Sequence, residues 1–406
     1  MTAESTVPPQ PAPVAVGLIG VSGYARVYLR LAREFQEQGW LTLAAATIIN
    51  PGEEATIVSE LQAAGTRVYG CHREMLAREQ GKLQACLIPT GIPWHARMTV
   101  AALEAGLDVL VEKPLAGCLA DAQLVRAAER TTGRFVAVGF QDLYADATET
   151  LKQQLCDGLI GQLQSARVIG VWPRDAAYYQ RNVWSGRLQA QQAAVNDSPL
   201  QNGLAHFVHL ALFLTGAQPR EAARAELLDA ELWRAHPIES FDTAVTRART
   251  PAGVQLWFGV SHAASERRDV LLRLEGTGGT VEWHHEGRQV TIRRDGHVES
   301  RTLPPLLETR RSMLAKFLRR RQDSGQLIAD SAMAEHHVRF IDDLHRLTPI
   351  RAVPAPWLET VRHEGKVFTN IRGINTALES AFACGSRLSD LGFMDETPIR
   401  PVGREA

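Results

Sequence analysis

Apolar residues recur along this chain with two different periods, and the change from one to the other divides it. Over the first 140 residues, short apolar runs alternate with stretches whose apolar positions fall three and four apart. Val14-Ala15-Val16-Gly17-Leu18-Ile19 is the first run. Residues 41–49, Val68-Tyr69, Ala85-Cys86-Leu87-Ile88, Val109-Leu110-Val111 and Phe135-Val136-Ala137-Val138 repeat it. Runs that are apolar throughout suit parallel strands buried on both faces. Between the first two, Tyr24, Val27, Tyr28, Leu31, Ala32 and Phe35 mark one face of a helix. Further helices are expected over 54–64, 95–105 and 121–132, each stopped by a glycine: Gly65, Gly106 and Gly133. Strands alternating with helices through short turns predict a doubly wound parallel sheet, an α/β fold.

Past Gly139-Phe140-Gln141 the rhythm changes. A helix carrying Leu151 and Leu155 leads to a strand over 164–171. Stretches 243–249, 254–260, 270–274, 280–283 and 290–293 then alternate with period two. Turns such as Thr250-Pro251-Ala252-Gly253 and Gly276-Thr277-Gly278-Gly279 separate them. That pattern predicts a mostly antiparallel sheet. Helices over 306–324 and 331–347 follow, and 368–382 is expected to pack back on the body. The resulting division is a disordered tail over 1–13, a nucleotide-binding domain over 14–140, a substrate domain over 141–350, and a C-terminal segment over 351–406.

Bulk numbers narrow the picture. At 406 residues the chain is too long for one ordinary core. A net charge of −1 gives no field to recruit nucleic acid or an anionic membrane. No apolar run approaches the roughly 18–20 residues of a membrane helix, and the first residues lack a secretion-signal pattern. Five widely spaced cysteines without a CxxC argue for reduced thiols and a cytoplasmic protein.

Three places carry candidate chemistry. The first is Gly20-Val21-Ser22-Gly23-Tyr24-Ala25, a turn between a strand and a helix, the context of a dinucleotide fingerprint. Against G-x-G-x-x-G/A, Gly20 and Ala25 match, Ser22 replaces the middle glycine, and Gly23 beside it supplies flexibility. Asn50 ends the second strand where NAD enzymes usually place an acid, so NADP stays open beside NAD. Glu53 and Glu54 read either as a substitute for that acid or as first-turn helix charges.

The second place is Glu112-Lys113-Pro114. Lys113 is one of 5 lysines against 39 arginines, at the carboxyl end of a strand, where open α/β sheets bind ligands. Lysine loses its proton far more readily than arginine when desolvated, so Lys113 is a candidate acid or base as well as a simple surface ion.

The third is the stretch from 172 to 209. A long loop over 172–199 holds Arg174, Tyr178, Tyr179, Arg181, Asn182 and Trp184, suited to a polyhydroxylated ligand or to packing against its own domain or a second subunit. Asn202, His206 and His209 follow at i, i+4 and i+7 on an expected helix. Three readings stand open for them: helix polars, metal ligands, or an acid/base histidine. His284-His285 reads as a strand-end pair rather than a metal site, and no metal is expected.

Gly17-Leu18-Ile19-Gly20, Thr90-Gly91-Ile92-Pro93-Trp94-His95, Ala101-Ala102-Leu103-Glu104-Ala105-Gly106 and Glu112-Lys113-Pro114 together resemble the Gfo/Idh/MocA oxidoreductases. The resemblance implies an N-terminal Rossmann domain and a C-terminal α+β domain on a large open sheet, through which a homo-oligomer forms. It implies NAD or NADP as cofactor, held by Gly20, Ser22, Gly23, Tyr24, Ala25, Asn50, Thr90, His95, Glu112 and Lys113. It implies hydride transfer at the carbinol carbon of a sugar, cyclitol or related polyol. Lys113, Asn202 and His206 then form the catalytic set, and Gln141, Arg174, Tyr179, Trp184 and His209 the substrate contacts. Family members usually carry Asp-x-x-x-His where this chain has Asn202 and His206. An asparagine cannot accept a proton, so proton transfer falls to His206 or Lys113. Two other readings remain: NAD-dependent glycoside hydrolysis with no net redox, and a non-catalytic nucleotide- or sugar-binding regulator.

Overall fold

A computed structural model describes residues 12–394. The tail expected over 1–13 lies, through residue 11, outside the described residues.

The six apolar runs of the first half become six strands: β1 (Val14–Ile19), β2 (Leu41–Thr47), β3 (Arg67–Tyr69), β4 (Ala85–Ile88), β5 (Asp108–Val111) and β6 (Val136–Val138). They form one all-parallel sheet in the order β3-β2-β1-β4-β5-β6. Both faces are covered, and Val109, Leu110 and Val111 have no exposure. Continuous apolarity is therefore what a strand with no solvent side requires. Strand order reverses between β1 and β4, so the turns after these two strands open into one crevice. The helix expected over 95–105 begins earlier, at Ile92, because Gly91 is an extended cap and Pro93 suits the first turn.

The second half is built on a nine-stranded sheet. In spatial order its strands are His297–Thr302, Gln289–Arg294, Gly279–His284, Arg268–Gly276, Leu163–Val171, Gln255–Ser261, Thr243–Arg249, Glu226–Arg234 and Ile350–Ala352. Pairing is antiparallel except between Leu163–Val171 and Gln255–Ser261 and at the Ile350–Ala352 edge. Three of these strands carry no clear apolar alternation. His297–Thr302 is an exposed edge, Glu226–Arg234 is mixed in burial, and Ile350–Ala352 is only three residues long.

Helix Ala205–Leu214 is buried against one face of this sheet, and helix Ile374–Cys384 packs on the other. Helix Ser331–Leu347 lies against helix Leu119–Thr132 of the first half. The amide of Val138 also donates to the carbonyl of Ala329 at 2.8 Å, joining the two halves.

The expected loop over 172–199 is ordered. It contains the short helix Ala176–Gln180 and a two-stranded hairpin, Gln189–Ala190 with Ala193–Ala194. It crosses to the first half. Trp184 seats on Gly91, where a Cβ would stand 2.7 Å from the indole nitrogen. The guanidinium of Arg97 donates to the carbonyl oxygens of Gln191 (3.3 Å) and Gln192 (2.5 Å). Asn196 donates to the carbonyl of Gly117 at 3.1 Å.

Candidate active site

The crevice begins at the turn after β1. Gly20 sits at φ +95° and Gly23 at φ +59°, conformations that disfavour any side chain. A Cβ on Gly20 would project between the two turns, 3.8 Å from Thr90 Cγ2 and 3.9 Å from Ala25 Cβ. Ser22 does not fill the gap. Its hydroxyl donates to Glu54 Oε1 at 2.8 Å, and Arg26 Nη2 reaches Glu54 Oε2 at 3.0 Å. The helix that starts at Ala25 has no acid in its own first turn to offset its positive end. Across the gap the Thr90 hydroxyl is buried with no hydrogen-bond partner.

These features suit an anionic, hydroxyl-bearing dinucleotide. Gly20, Ser22, Gly23, Tyr24, Ala25, Asn50, Thr90, His95, Glu112 and Lys113 all line one cavity of about 1220 Å³. Single-ligand pockets run to roughly 300–1,000 Å³, so there is room for a dinucleotide and a second molecule.

His95 has a different part from the one expected. Its Nδ1 lies 2.6 Å from the Pro114 carbonyl and its Nε2 2.9 Å from that of Thr90. Both ring nitrogens face backbone carbonyls, and the ring donates to one of them, so His95 packs between the turn after β4 and the turn after β5 and offers a ligand little beyond a ring edge.

The β5 strand delivers Glu112 and Lys113. Glu112 is buried; the Tyr28 hydroxyl donates to its Oε1 at 2.9 Å and the Lys113 amide to its Oε2 at 3.0 Å. Burial pushes its carboxyl above the usual range. The neighbour on the far side must be small: a Cβ on Gly139 would stand 2.8 Å from Glu112 Oε1. Lys113 Nζ donates to two oxygens of Asn202, the carbonyl at 2.8 Å and Oδ1 at 3.0 Å. Burial lowers the ammonium pKa below its ordinary value; the carboxylates of Glu112 and Asp197 oppose this, and Arg181 and Arg174 add to it.

Asn202 is not on the helix expected from 202 to 214. It lies in a wide turn, Pro199–Gly203, and the regular helix starts at Ala205. Its amide donates to Asp197 Oδ1 at 3.0 Å. Asp197 is buried, and its other oxygen accepts the Gly186 amide at 2.6 Å. Burial raises its carboxyl, against the pull of the Gly186 amide and of Arg181. The sequence reading missed Asp197, which carries no motif of its own.

His206 lines the same cavity as Lys113. Its Nδ1 is buried without a partner. Burial first, and the Lys113 charge next, hold its imidazole well below the ordinary histidine range, so the ring is neutral near pH 7.

His209 shares the helix that starts at Ala205 with His206, but not its surroundings. His209 is 1% exposed, stacks on Phe140 at 3.9 Å between ring centres, and does not line the cavity. Its expected substrate contact is therefore corrected: it is a core side chain. Tyr179 likewise lies outside the cavity lining, against the His236 ring at 4.8 Å. Its neighbour Tyr178 lines the cavity instead. Arg174, Trp184 and Gln141 line it. Gln141 Oε1 accepts from Arg310 Nε at 2.8 Å. Arg310 and His285, not among the expected site residues, line the cavity too.

Among the described residues no group of three or more His, Cys, Asp or Glu is arranged to hold a metal. No helix there is long and apolar enough to cross a membrane.

Two family models match the chain in succession. "Oxidoreductase family, NAD-binding Rossmann fold" covers residues 14–140, and "GFO/IDH/MocA C-terminal domain" covers 148–282. The chain is 27% identical to a dTDP-3,4-didehydro-2,6-dideoxy-alpha-D-glucose 3-reductase of Streptomyces antibioticus, over 70% of this chain and 84% of the relative. It is 31% identical to an inositol 2-dehydrogenase/D-chiro-inositol 3-dehydrogenase of Shouchella clausii. That match spans 46% of this chain and only 49% of the relative. Among solved structures, an inositol dehydrogenase homolog from Azotobacter vinelandii complexed with NAD+ superposes with a TM-score of 0.72 at 19% identity. The superposition covers 84% of this chain and 97% of that one, a likeness of fold.

Proposed function

Because the chain belongs to the Gfo/Idh/MocA family of NAD(P)-binding oxidoreductases, we propose that it transfers a hydride between nicotinamide and the carbinol carbon of a sugar, cyclitol or related polyol. One observation carries this reading. The glycine turn, Lys113 and His206 line a single cavity although they come from distant stretches of sequence. The relatives named above act on a deoxysugar nucleotide and on inositols, which supports a polyhydroxylated substrate here.

A bound nicotinamide supplies the hydride acceptor or donor. The protein's share is to handle the proton and the oxygen. Oxidation of a carbinol requires its hydroxyl proton to leave as the carbon is oxidised, so a base and a positive group must meet at that oxygen. Lys113, an ammonium anchored on Asn202, holds the oxygen and stabilises its developing negative charge. His206, neutral at physiological pH, takes the proton. Asn202 does not transfer a proton; it fixes Lys113, and Asp197 fixes Asn202. Arg174, Trp184 and Gln141 border the substrate space, while Gly20, Gly23, Thr90 and the start of the helix at Ala25 hold the dinucleotide.

The test is a screen of sugars, cyclitols and their keto forms with NAD+, NADP+ and the reduced cofactors, followed by nicotinamide absorbance. Turnover of at least one polyol, lost in Lys113→Ala, is the expected result. Tight cofactor binding with no turnover across the panel would refute the reading.

A further inference from the structure

The geometry points to an anionic substrate: a sugar or polyol derivative whose carboxylate or phosphate is gripped by Arg174 and Arg181. This deepens the oxidoreductase reading and rests on it for the reaction, though not for the binding.

Two guanidiniums meet at one aromatic ring. The Arg174 and Arg181 guanidinium carbons stand 4.5 Å and 3.5 Å from the centre of the Tyr178 ring. Arg174 also lies 5.9 Å from the Trp172 ring, and Arg181 5.6 Å from that of Trp184. All five residues line the cavity. Stacking on rings occupies the faces of the guanidiniums and leaves their N–H edges free.

Those edges are largely unused. Among the described residues the Arg174 side chain has no hydrogen bond or ion pair, and its Nε is buried without a partner. The Arg181 side chain donates only to the Tyr178 carbonyl, at 2.6 Å. Other arginines of this chain find carboxylates, as Arg247 does on Asp229 and Arg311 on Glu34.

The nearby acids are otherwise engaged. Asp175 Oδ1 caps the Tyr178 amide at 2.8 Å. Both oxygens of Asp197 are taken by Gly186 and Asn202. Those of Glu112 are taken by Tyr28 and the Lys113 amide. Glu53, the other lining acid, sits beside Asn50 at the dinucleotide end.

This part of the cavity thus presents two arginines and Lys113 together. Both arginines lie close enough to Lys113 to depress its pKa. A neutral sugar gives such N–H groups weak acceptors. A carboxylate or phosphate gives charge-assisted, fork-matched ones. A buried guanidinium N–H left without an acceptor is costly, so an anion has the advantage.

The experiment compares a neutral polyol or cyclitol with its sugar acid, its phosphate ester and a nucleoside-diphosphate sugar. It uses the full chain as wild type, Arg174→Met, Arg181→Met and Arg174→Lys. Turnover is followed by nicotinamide absorbance, and binding to the cofactor-saturated protein by calorimetry. Anionic members are expected to bind about ten- to hundred-fold more tightly than neutral ones. That ratio should collapse toward one in the methionine variants and recover in part in Arg174→Lys. The anionic class that shows the largest ratio tells carboxylate from phosphate. Selective anion binding without turnover would sink the oxidoreductase reading and leave this inference standing. Equal binding of neutral and anionic members, or a ratio unchanged in both methionine variants, would overturn it.

Discussion

The side-chain amide of Asn202 bridges Lys113 and Asp197: its oxygen accepts from Nζ at 3.0 Å and its nitrogen donates to the buried carboxylate at 3.0 Å. The negative charge of Asp197 thus stands one residue back from the lysine. An amide stands between, transmitting orientation and no proton.

Replacing Asp197 by asparagine should show that spacing at work. The carboxylate holds the Lys113 pKa up against burial. Removing it lowers that pKa further, so the alkaline limb of the kcat/KM profile moves to lower pH. An unmoved limb together with normal thermal stability would place Asp197 outside the network.

Lys113→Ala should reduce turnover by about 10²- to 10⁴-fold while NAD(H) binding, measured by fluorescence, changes far less. Near-wild-type turnover would remove the lysine from the reaction.

His206 has the opposite sign of pH dependence. Its imidazole is held well below the ordinary value of about 6.5, chiefly by burial and then by the Lys113 charge. The base is therefore present at neutral pH and is lost only when acid protonates it. The acidic limb of polyol oxidation should fall clearly below the normal histidine range. A limb at or above that range belongs to another group.

Gly91→Ala should disturb the loop, not the chemistry. The added Cβ would meet the Trp184 indole nitrogen at 2.7 Å and push it off the helix that begins at Ile92. We expect KM for the polyol to rise with a smaller change in kcat. An equal loss in both would mean that the substitution reaches Thr90 or the reacting groups.

The cofactor choice has its own test. Glu53 lines the cavity beside Asn50, whose amide donates to it at 3.3 Å. A carboxylate there suits ribose hydroxyls and repels a 2′-phosphate. NAD should be preferred, and Glu53→Gln should narrow the ratio of kcat/KM for NAD over NADP. Wild-type preference for NADP would contradict the assignment.

Much of this architecture was legible because its signals are local. Strands buried on both faces must be apolar throughout, and that alone located β1, β4 and β5 to within a residue. Turns that need positive φ marked Gly20 and Gly23. Failures came where a three-dimensional neighbour decides the outcome. The i, i+4, i+7 spacing of Asn202, His206 and His209 assumed one unbroken helix. The wide turn Pro199–Gly203 leaves Asn202 before it, and His209 is drawn into the core by Phe140. Arg310 joins the site through Gln141, far back in the chain, and Asp197 joins it through Asn202, whose own reach to Lys113 crosses the two halves; nothing in their immediate sequence announces either role. Edge strands such as His297–Thr302 have little apolar content to betray them.

The loop that carries Trp184, Gln191 and Asn196 onto the first half has an energetic corollary. Whatever fills the cavity touches both halves at once, so its occupancy should weld them into one melting unit. Ligand added to the protein should then raise the unfolding temperature of the whole chain by mass action, and protease cuts between residues 172 and 199 should slow in step.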